Sequence, residues 1–117
     1  MSKPVGPYTP IVRTGDWLCC SGQVGIADGA LVEGGIEAEL RQAFANLRGI
    51  LATEGAELSD VVKTTVFMTD MGEYGAMNEV YVAEFGDHRP ARSAVAVAAL
   101  PIGAVVELEA WARVKGA

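Results

Sequence analysis

Arg92 follows Pro90-Ala91 and opens a stretch, Ser93 to Val106, in which no residue is charged. A guanidinium whose stem runs among alanines and whose fork lies at a strand end offers two parallel N–H donors to a planar anion, so it can receive a carboxylate. The same group can instead form an internal ion pair, for which Glu107 and Glu109 are candidates. Those two acids alternate along an extended segment and share one face, where like charges in a partly dry site repel and raise a carboxylate pKa. A carboxylate so raised can act as a general base toward water. The alternative is that both lie at a solvated rim.

Other reactive groups have less context. Tyr8 and Ser21 supply hydroxyls, and Lys63 is either a Schiff-base amine or a solubilising charge. His88 sits in the loop Gly86-Asp87-His88-Arg89-Pro90 with no Ser or Cys nucleophile beside it, so a catalytic triad has no support. Cys19 and Cys20 are the only cysteines. Adjacent extended residues point to opposite faces, a poor geometry for a disulfide, so both read as buried thiols. A single His and no Cys-x-x-Cys pair leave no zinc-ligand spacing, and no Gly-x-Gly-x-x-Gly or Walker-type run occurs. Neither a metal nor a nucleotide cofactor is expected.

The elements that must position these groups can be read from periodicity. Pro10–Arg13 and Trp17–Ser21 flank Thr14-Gly15-Asp16 as a hairpin with a three-residue turn, and a short strand follows at Ala30–Glu33. Ile36, Leu40, Ala43, Phe44, Leu47, Ile50 and Leu51 recur three or four residues apart, which only a helix explains; it ends near Gly55. Val61–Thr69 is a β-branched strand. Glu73–Phe85 forms a second helix with Tyr74, Met77, Tyr81 and Phe85 on one stripe and Gly86 as its stop. Two long strands, Ala91–Leu100 and Ala104–Lys115, are split by Pro101-Ile102-Gly103. The order describes one α+β domain over residues 1–117, a five- to six-stranded sheet with two helices on one face.

In the last strand Val106, Leu108, Ala110, Ala112 and Val114 line the side suited to the helices, while Glu107, Glu109, Trp111 and Arg113 line the other. The preceding strand is apolar on both sides. Two helices cover one sheet face and nothing remains for the second, so another copy of the chain must cover it, with Ala94, Ala96 and Ala98 allowing close approach. The competing arrangement is a sheet with a modestly apolar open face.

Composition sets the outer bounds. The chain has 117 residues, 50% apolar and 7% aromatic, enough for one compact core. Nine Lys and Arg against fifteen Asp and Glu leave a formal charge of −6, which repels phosphate backbones, so nucleic acid is a poor partner. No uncharged run is long enough to cross a bilayer, and Met1 to Tyr8 has no signal or presequence character, so a cytoplasmic location is expected.

Gly6-Pro7-Tyr8, Cys20-Ser21-Gly22-Gln23, Val62-Lys63-Thr64-Thr65-Val66-Phe67, Asn78, Pro90-Ala91-Arg92-Ser93 and Val106-Glu107-Leu108-Glu109-Ala110, in this order, resemble the RidA (YjgF) family of reactive intermediate deaminases over almost the whole chain. The resemblance implies a chorismate-mutase-like fold assembled as a homotrimer with pockets between subunits. It implies hydrolysis of short enamines and imines, such as 2-aminoacrylate, to 2-keto acids and ammonia without metal or organic cofactor. It assigns carboxylate binding to Arg92 and water orientation to Glu107, and pocket positions to Tyr8, Ser21, Gly22, Asn78 and Ala94. Two residues depart from the family pattern: Ala94 stands where many members have Cys, and Arg89 where an aromatic precedes the proline. Arg89 adds positive charge near the pocket mouth, compatible with a dicarboxylic substrate, or is a solvated loop residue. A non-catalytic trimer that binds keto acids is the alternative function; a ribonuclease or translation inhibitor, a label also used in this family, fits the acidic charge poorly.

Overall fold

The computed structural model describes residues 4–115. Met1 to Lys3 of the expected leaderless start, and residues 116–117 of the expected domain, lie outside it. A five-stranded sheet runs in the order β1-β2-β7-β5-β6, formed by β1 (Ile11–Thr14), β2 (Trp17–Gln23), β5 (Val61–Met68), β6 (Ala91–Ala96) and β7 (Val106–Arg113). All neighbours are antiparallel except β5 and β6, which are parallel and joined through a helix. A separate two-stranded ribbon pairs β3 (Ile26–Ala27) with β4 (Ala30–Leu31). Helices α1 (Gly35–Ala52) and α2 (Tyr74–Phe85) pack together on one face of the main sheet.

The periodic positions of α1 enter the core as their spacing predicts: Leu40, Ala43, Phe44, Leu47 and Leu51 are inaccessible to solvent. They meet Leu18 and Cys20 of β2, Val66 and Met68 of β5, and Val106, Leu108, Ala110 and Ala112 of β7. Phe44 meets Tyr81 and Phe85 edge to face where the two helices touch, and Tyr81 and Phe85 pack at a tilt, with centroids 4.9–5.9 Å apart. Of the expected α2 stripe, Met77, Tyr81 and Phe85 are buried, but Tyr74 is exposed.

Several boundaries differ from expectation because strands last only as long as their partners. The first hairpin turns on two residues, Gly15-Asp16, since Thr14 pairs directly with Trp17. The expected Ala91–Leu100 strand stops at Ala96; β5 ends at Met68, whose carbonyl accepts the Val97 N–H at 2.8 Å. β7 begins at Val106, opposite Met68, and not at Ala104. The small ribbon turns on Asp28-Gly29, both at positive φ, the pairing that favours a tight hairpin.

The face left uncovered by the helices carries Trp17, Cys19 and Ser21 of β2, Lys63, Thr65 and Phe67 of β5, Ser93 and Val95 of β6, and Glu107, Glu109, Trp111 and Arg113 of β7. None of these residues is buried. Trp17 and Trp111 meet edge to face at 6.4 Å and each remains 40% exposed. The expected alanine surface is corrected: Ala94 pairs with Val66 on the helix side and packs against the main core, so β6 presents Ser93 and Val95 to the open side. The two thiols divide likewise. Cys20 lies in the core, where burial and then the neighbouring Cys19 push its thiol up to about 12, whereas Cys19 is only half-buried on the open face.

Gly25 ties the ribbon to α1. A Cβ built there would lie 2.7 Å from both the Cα and the carbonyl oxygen of Glu39, so the helix backbone passes where a side chain would stand. Glu39 itself is buried and accepts the Val105 N–H at 2.9 Å, joining α1 to the segment leading into β7. Gly25→Ala is therefore expected to destabilise the chain by about 1–3 kcal/mol, the usual cost of forcing packed elements apart. Urea unfolding monitored by circular dichroism checks this; an unchanged midpoint would show that α1 can shift freely.

Candidate active site

Two separate clusters of functional side chains lie on opposite faces of the sheet. On the helix side, β6 runs parallel to β5 with Arg92 beside Thr64, which directs its guanidinium onto α2. There Nη1 donates to Asn78 Oδ1 at 2.7 Å and contacts Met77 Sδ at 3.7 Å, while Nη2 donates to the Tyr74 hydroxyl at 2.8 Å. The guanidinium carbon lies 4.8 Å from the Tyr81 ring centroid and 5.4 Å from that of Tyr74, within the range of cation–π attraction. Tyr81 is held in turn by a buried 2.6 Å hydrogen bond between its hydroxyl and Thr64 Oγ1. Its pKa is raised, mainly by burial, with Thr64 and the charges of Arg92 and Arg89 working the other way. Tyr74, Asn78 and Tyr81 recur along one flank of α2, so one helix orders the guanidinium from three positions.

Among the described residues Arg92 forms no salt bridge. The ion pair with Glu107 or Glu109 that its sequence position allowed is not made, because β7 turns both acids to the opposite face. A guanidinium held by neutral partners keeps its full charge for an incoming anion. The groove beside it, about 390 Å³, is lined by Asn78, Tyr81, Val82, Arg89, Pro90 and Arg92.

The second cluster is a depression of about 320 Å³ on the open face, lined by Tyr8, Ser21, Gly22, Glu107 and Glu109 among others. Its geometry comes from a bulge in β2. Cys20 pairs with Ala110 and Gln23 with Leu108, so an extra residue lies in the Ser21-Gly22 segment and turns it over β7. A Cβ on Gly22 would lie 2.6 Å from Glu107 Oε2 and 2.8 Å from its Cδ. The Ser-Gly-Gln motif thus has a physical reason: only glycine leaves space for the Glu107 carboxylate in this position. Ser21 Oγ donates to the Thr9 carbonyl at 2.6 Å, and the Tyr8 hydroxyl accepts from the Val5 N–H at 3.3 Å. The Ser21 bond ties the segment before β1 to β2 at the rim of the depression, and the Tyr8–Val5 bond closes a turn within that segment.

Glu107 has its pKa raised above the ordinary carboxylate value, first by burial and then by the negative charge of Glu109. This is the like-charge pair expected from their alternation on the strand, now seen in a partly dry setting. The proposed site residues therefore fall into two groups, Tyr8, Ser21, Gly22 and Glu107 in one and Asn78 and Arg92 in the other, and a single chain does not unite them. Ala94 lies on the Arg92 side of β6, partly buried against the core. Tyr74, Met77 and Tyr81, expected only as helix stripe, prove to be the clamp on Arg92; their three- and four-residue spacing toward Asn78 was the available signal.

The remaining candidates have local roles. His88 Nε2 donates to the Val61 carbonyl at 2.7 Å and its ring meets Phe85 at 5.8 Å, so it anchors the loop before β6. Lys63 Nζ donates to Ser93 Oγ at 2.7 Å across the open face. Among the described residues no three His, Cys, Asp or Glu side chains gather as a metal site, and no helix is long and apolar enough to cross a membrane.

The family model described as endoribonuclease L-PSP matches residues 1–114. The chain is 46% identical over 110 residues to a 2-iminobutanoate/2-iminopropanoate deaminase of Mus musculus, covering 92% of this chain and 82% of that one. It is 42% identical over 112 residues to a RutC family protein of Pyrococcus horikoshii, covering 94% and 89%. The crystal structure of RidA from an Antarctic Psychrobacter superposes with a TM-score of 0.92 at 40% identity, covering 96% of this chain and 92% of that one.

Proposed function

The chain belongs to the endoribonuclease L-PSP family, the YjgF/RidA proteins, and we propose that it hydrolyses short 2-imino acids and the related enamines to 2-keto acids and ammonia. The observation that carries this reading is Arg92, a guanidinium ordered by an amide, a phenol and two aromatic rings, with no carboxylate on it, at the wall of an open groove. The deaminase names of relatives at 41–46% identity agree with it.

In this scheme Arg92 takes the substrate carboxylate and sets the adjacent C=N carbon in place, converting a bimolecular encounter with water into a positioned one. Glu107 removes a proton from the attacking water as the C–O bond forms and the C=N π electrons move to nitrogen, which takes up a proton. The resulting carbinolamine loses ammonia: its hydroxyl proton is transferred to the nitrogen, and as the C=O bond forms the C–N bond breaks and its electron pair leaves with NH3. Because the imine carbon is already electrophilic, positioning and one carboxylate suffice, with no cofactor in any step.

Arg92 and Glu107 face opposite sides of the sheet, so the scheme requires a second copy. We place the Arg92–Asn78 groove of one copy against the Tyr8–Ser21–Gly22–Glu107 depression of the next in a closed homotrimer, with the exposed Trp17, Trp111 and Val95 turned inward. A phosphate backbone suits this site poorly: two carboxylates line the depression and the chain carries a formal charge of −6.

Complementation tests both the chemistry and the sharing. Arg92→Ala and Glu107→Gln chains, each impaired at least about 10²-fold at substrate concentrations well below KM, are unfolded, mixed in equal amounts, refolded together and assayed under those conditions. Random assembly of trimers should restore about a quarter of the sites, each pairing an intact Arg92 with an intact Glu107 from another copy. Ammonia and keto-acid release from 2-iminobutyrate generated in situ is the readout. No recovery in assembled mixtures would reject the shared site.

A further inference from the structure

We propose that Arg89 is a second anion-binding residue of the Arg92 groove, and that it directs the chain toward imines and keto acids bearing a second carboxylate. The inference rests on the deaminase reading for its chemistry, but its ligand preference can be measured without turnover. Arg89 and Arg92 line the same groove together with Asn78, Tyr81, Val82 and Pro90. Both positive charges are close enough to Tyr81 to favour its ionised hydroxyl, against the larger effect of burial.

The charge pattern is the stronger argument. Arg13, Arg48 and Arg113 each pair with an acid, namely Glu54, Glu84 and Asp16. Among the described residues Arg41, Arg89 and Arg92 have no such partner; Arg41 stands exposed on α1, whereas Arg89 and Arg92 line one groove together. Two guanidinium groups sharing one groove repel, and a chain with an excess of acids has carboxylates enough to neutralise them. Leaving both cations unneutralised in one concavity favours an anion from outside, and two cations favour two anionic groups on one ligand.

Arg89 is also placed to hold a ligand rather than to sweep through solvent. Its Nη1 donates to the Gly86 and His88 carbonyls, which fixes the head of the side chain at the end of α2. Among the described residues Nε and Nη2 make no hydrogen bond, so that edge of the fork keeps its donors. Its backbone is held as well: Pro90 follows, and His88 is anchored on the Val61 carbonyl and the Phe85 ring. Val82 supplies an apolar wall for a short carbon chain. The ligand that fits is a small 2-imino or 2-keto dicarboxylate, its 2-carboxylate on Arg92 and its distal carboxylate on Arg89. An oxidation at the α-carbon of an acidic amino acid is the class of reaction that would supply such an imine.

The test is calorimetric titration of the assembled protein with 2-oxoglutarate and with 2-oxobutyrate, for wild type, Arg89→Gln and Arg89→Lys. Gln keeps an N–H donor for the helix end and removes the charge, so a capping role and an anion-binding role separate. Wild type should bind 2-oxoglutarate about tenfold more tightly than 2-oxobutyrate, a ratio that shrinks as salt is raised. Arg89→Gln should bring the ratio to about one, and Arg89→Lys should retain part of it. Equal affinities in wild type, no binding of 2-oxoglutarate, or a ratio that survives Arg89→Gln would overturn the proposal. So would a variant that loses its assembly while keeping the preference, since Arg89 would then serve the contact between copies. Hydrolysis of 2-iminobutyrate without a dicarboxylate preference sinks this inference alone; the preference without hydrolysis of any imine sinks the deaminase reading alone.

Discussion

Arg92→Ala should lower kcat/KM for 2-iminobutyrate hydrolysis by about 10²- to 10³-fold, because truncating one partner of a hydrogen-bonded charge pair costs roughly 3–4 kcal/mol. Most of the loss should appear in KM and in the affinity for 2-oxobutyrate, since in the proposed scheme the guanidinium holds the carboxylate in the ground state and the transition state alike. Arg92→Lys should recover little. A lysine ammonium is a point charge and cannot span Asn78 Oδ1, the Tyr74 hydroxyl and a carboxylate in one plane. The fold should tolerate the change, for Asn78 and Tyr74 lie where water can replace the lost donors. The measurement is keto-acid formation after subtraction of spontaneous imine hydrolysis, with a calorimetric titration beside it. Equal enzyme-dependent rates for wild type and Arg92→Ala would reject the assignment of the site.

Glu107→Gln should behave in the opposite way, lowering kcat by about 10²- to 10⁴-fold, the usual contribution of a positioned general base, while 2-oxobutyrate still binds. Glutamine keeps the shape that Gly22 accommodates and removes the proton acceptor. The pH dependence carries a sign that can be checked. Burial and Glu109 hold the Glu107 pKa above the ordinary carboxylate value, and the proposed general-base role requires the deprotonated form. Activity should therefore fall as pH drops through that raised value, at a higher pH than an isolated glutamate would give, and Glu109→Gln should move the acid limb downward. Stability runs the other way: a raised folded-state pKa contributes stability present below the unfolded carboxylate value and lost as pH rises through the folded one. At neutral pH the charged Glu107 thus weakens the fold, and Glu107→Gln should melt slightly higher than wild type there. A variant with full kcat would remove Glu107 from the chemistry.

These two variants and the Arg89 titration interrogate different groups, so their failures are separable. Arg92 and Glu107 test whether the site hydrolyses imines, whereas Arg89 tests which imines suit it.

The helices were legible because their evidence is local. The apolar recurrence from Ile36 to Leu51 reports a helix by itself, and the same residues fill the core. The two faces of β7 were equally plain, since Val106, Leu108, Ala110 and Ala112 alternate with charged or aromatic residues and a two-residue period admits only one division. The β6 segment carried no such contrast. With small apolar residues on both parities it could present either side, and only its parallel register, Arg92 beside Thr64 and Ala94 beside Val66, decides that the alanine face is turned to the helices. The strands end at Ala96 and begin at Val106, inside the expected limits of Leu100 and Ala104, for a related reason, as a strand continues only while a neighbour bonds to it.

The residue types alone determined that a guanidinium and a pair of repelling carboxylates were the groups to watch, and the family motifs determined their roles as expectations. Tertiary structure alone decided that Arg92 meets Tyr74, Asn78 and Tyr81 and not Glu107, that a bulge at Ser21-Gly22 opens space for the carboxylate, and that Arg89 shares the Arg92 groove. The physical reason is the range of the information. Periodicity is set by each residue's own backbone geometry, whereas register, bulges and the face on which two distant side chains emerge are set by pairing between strands far apart along the chain.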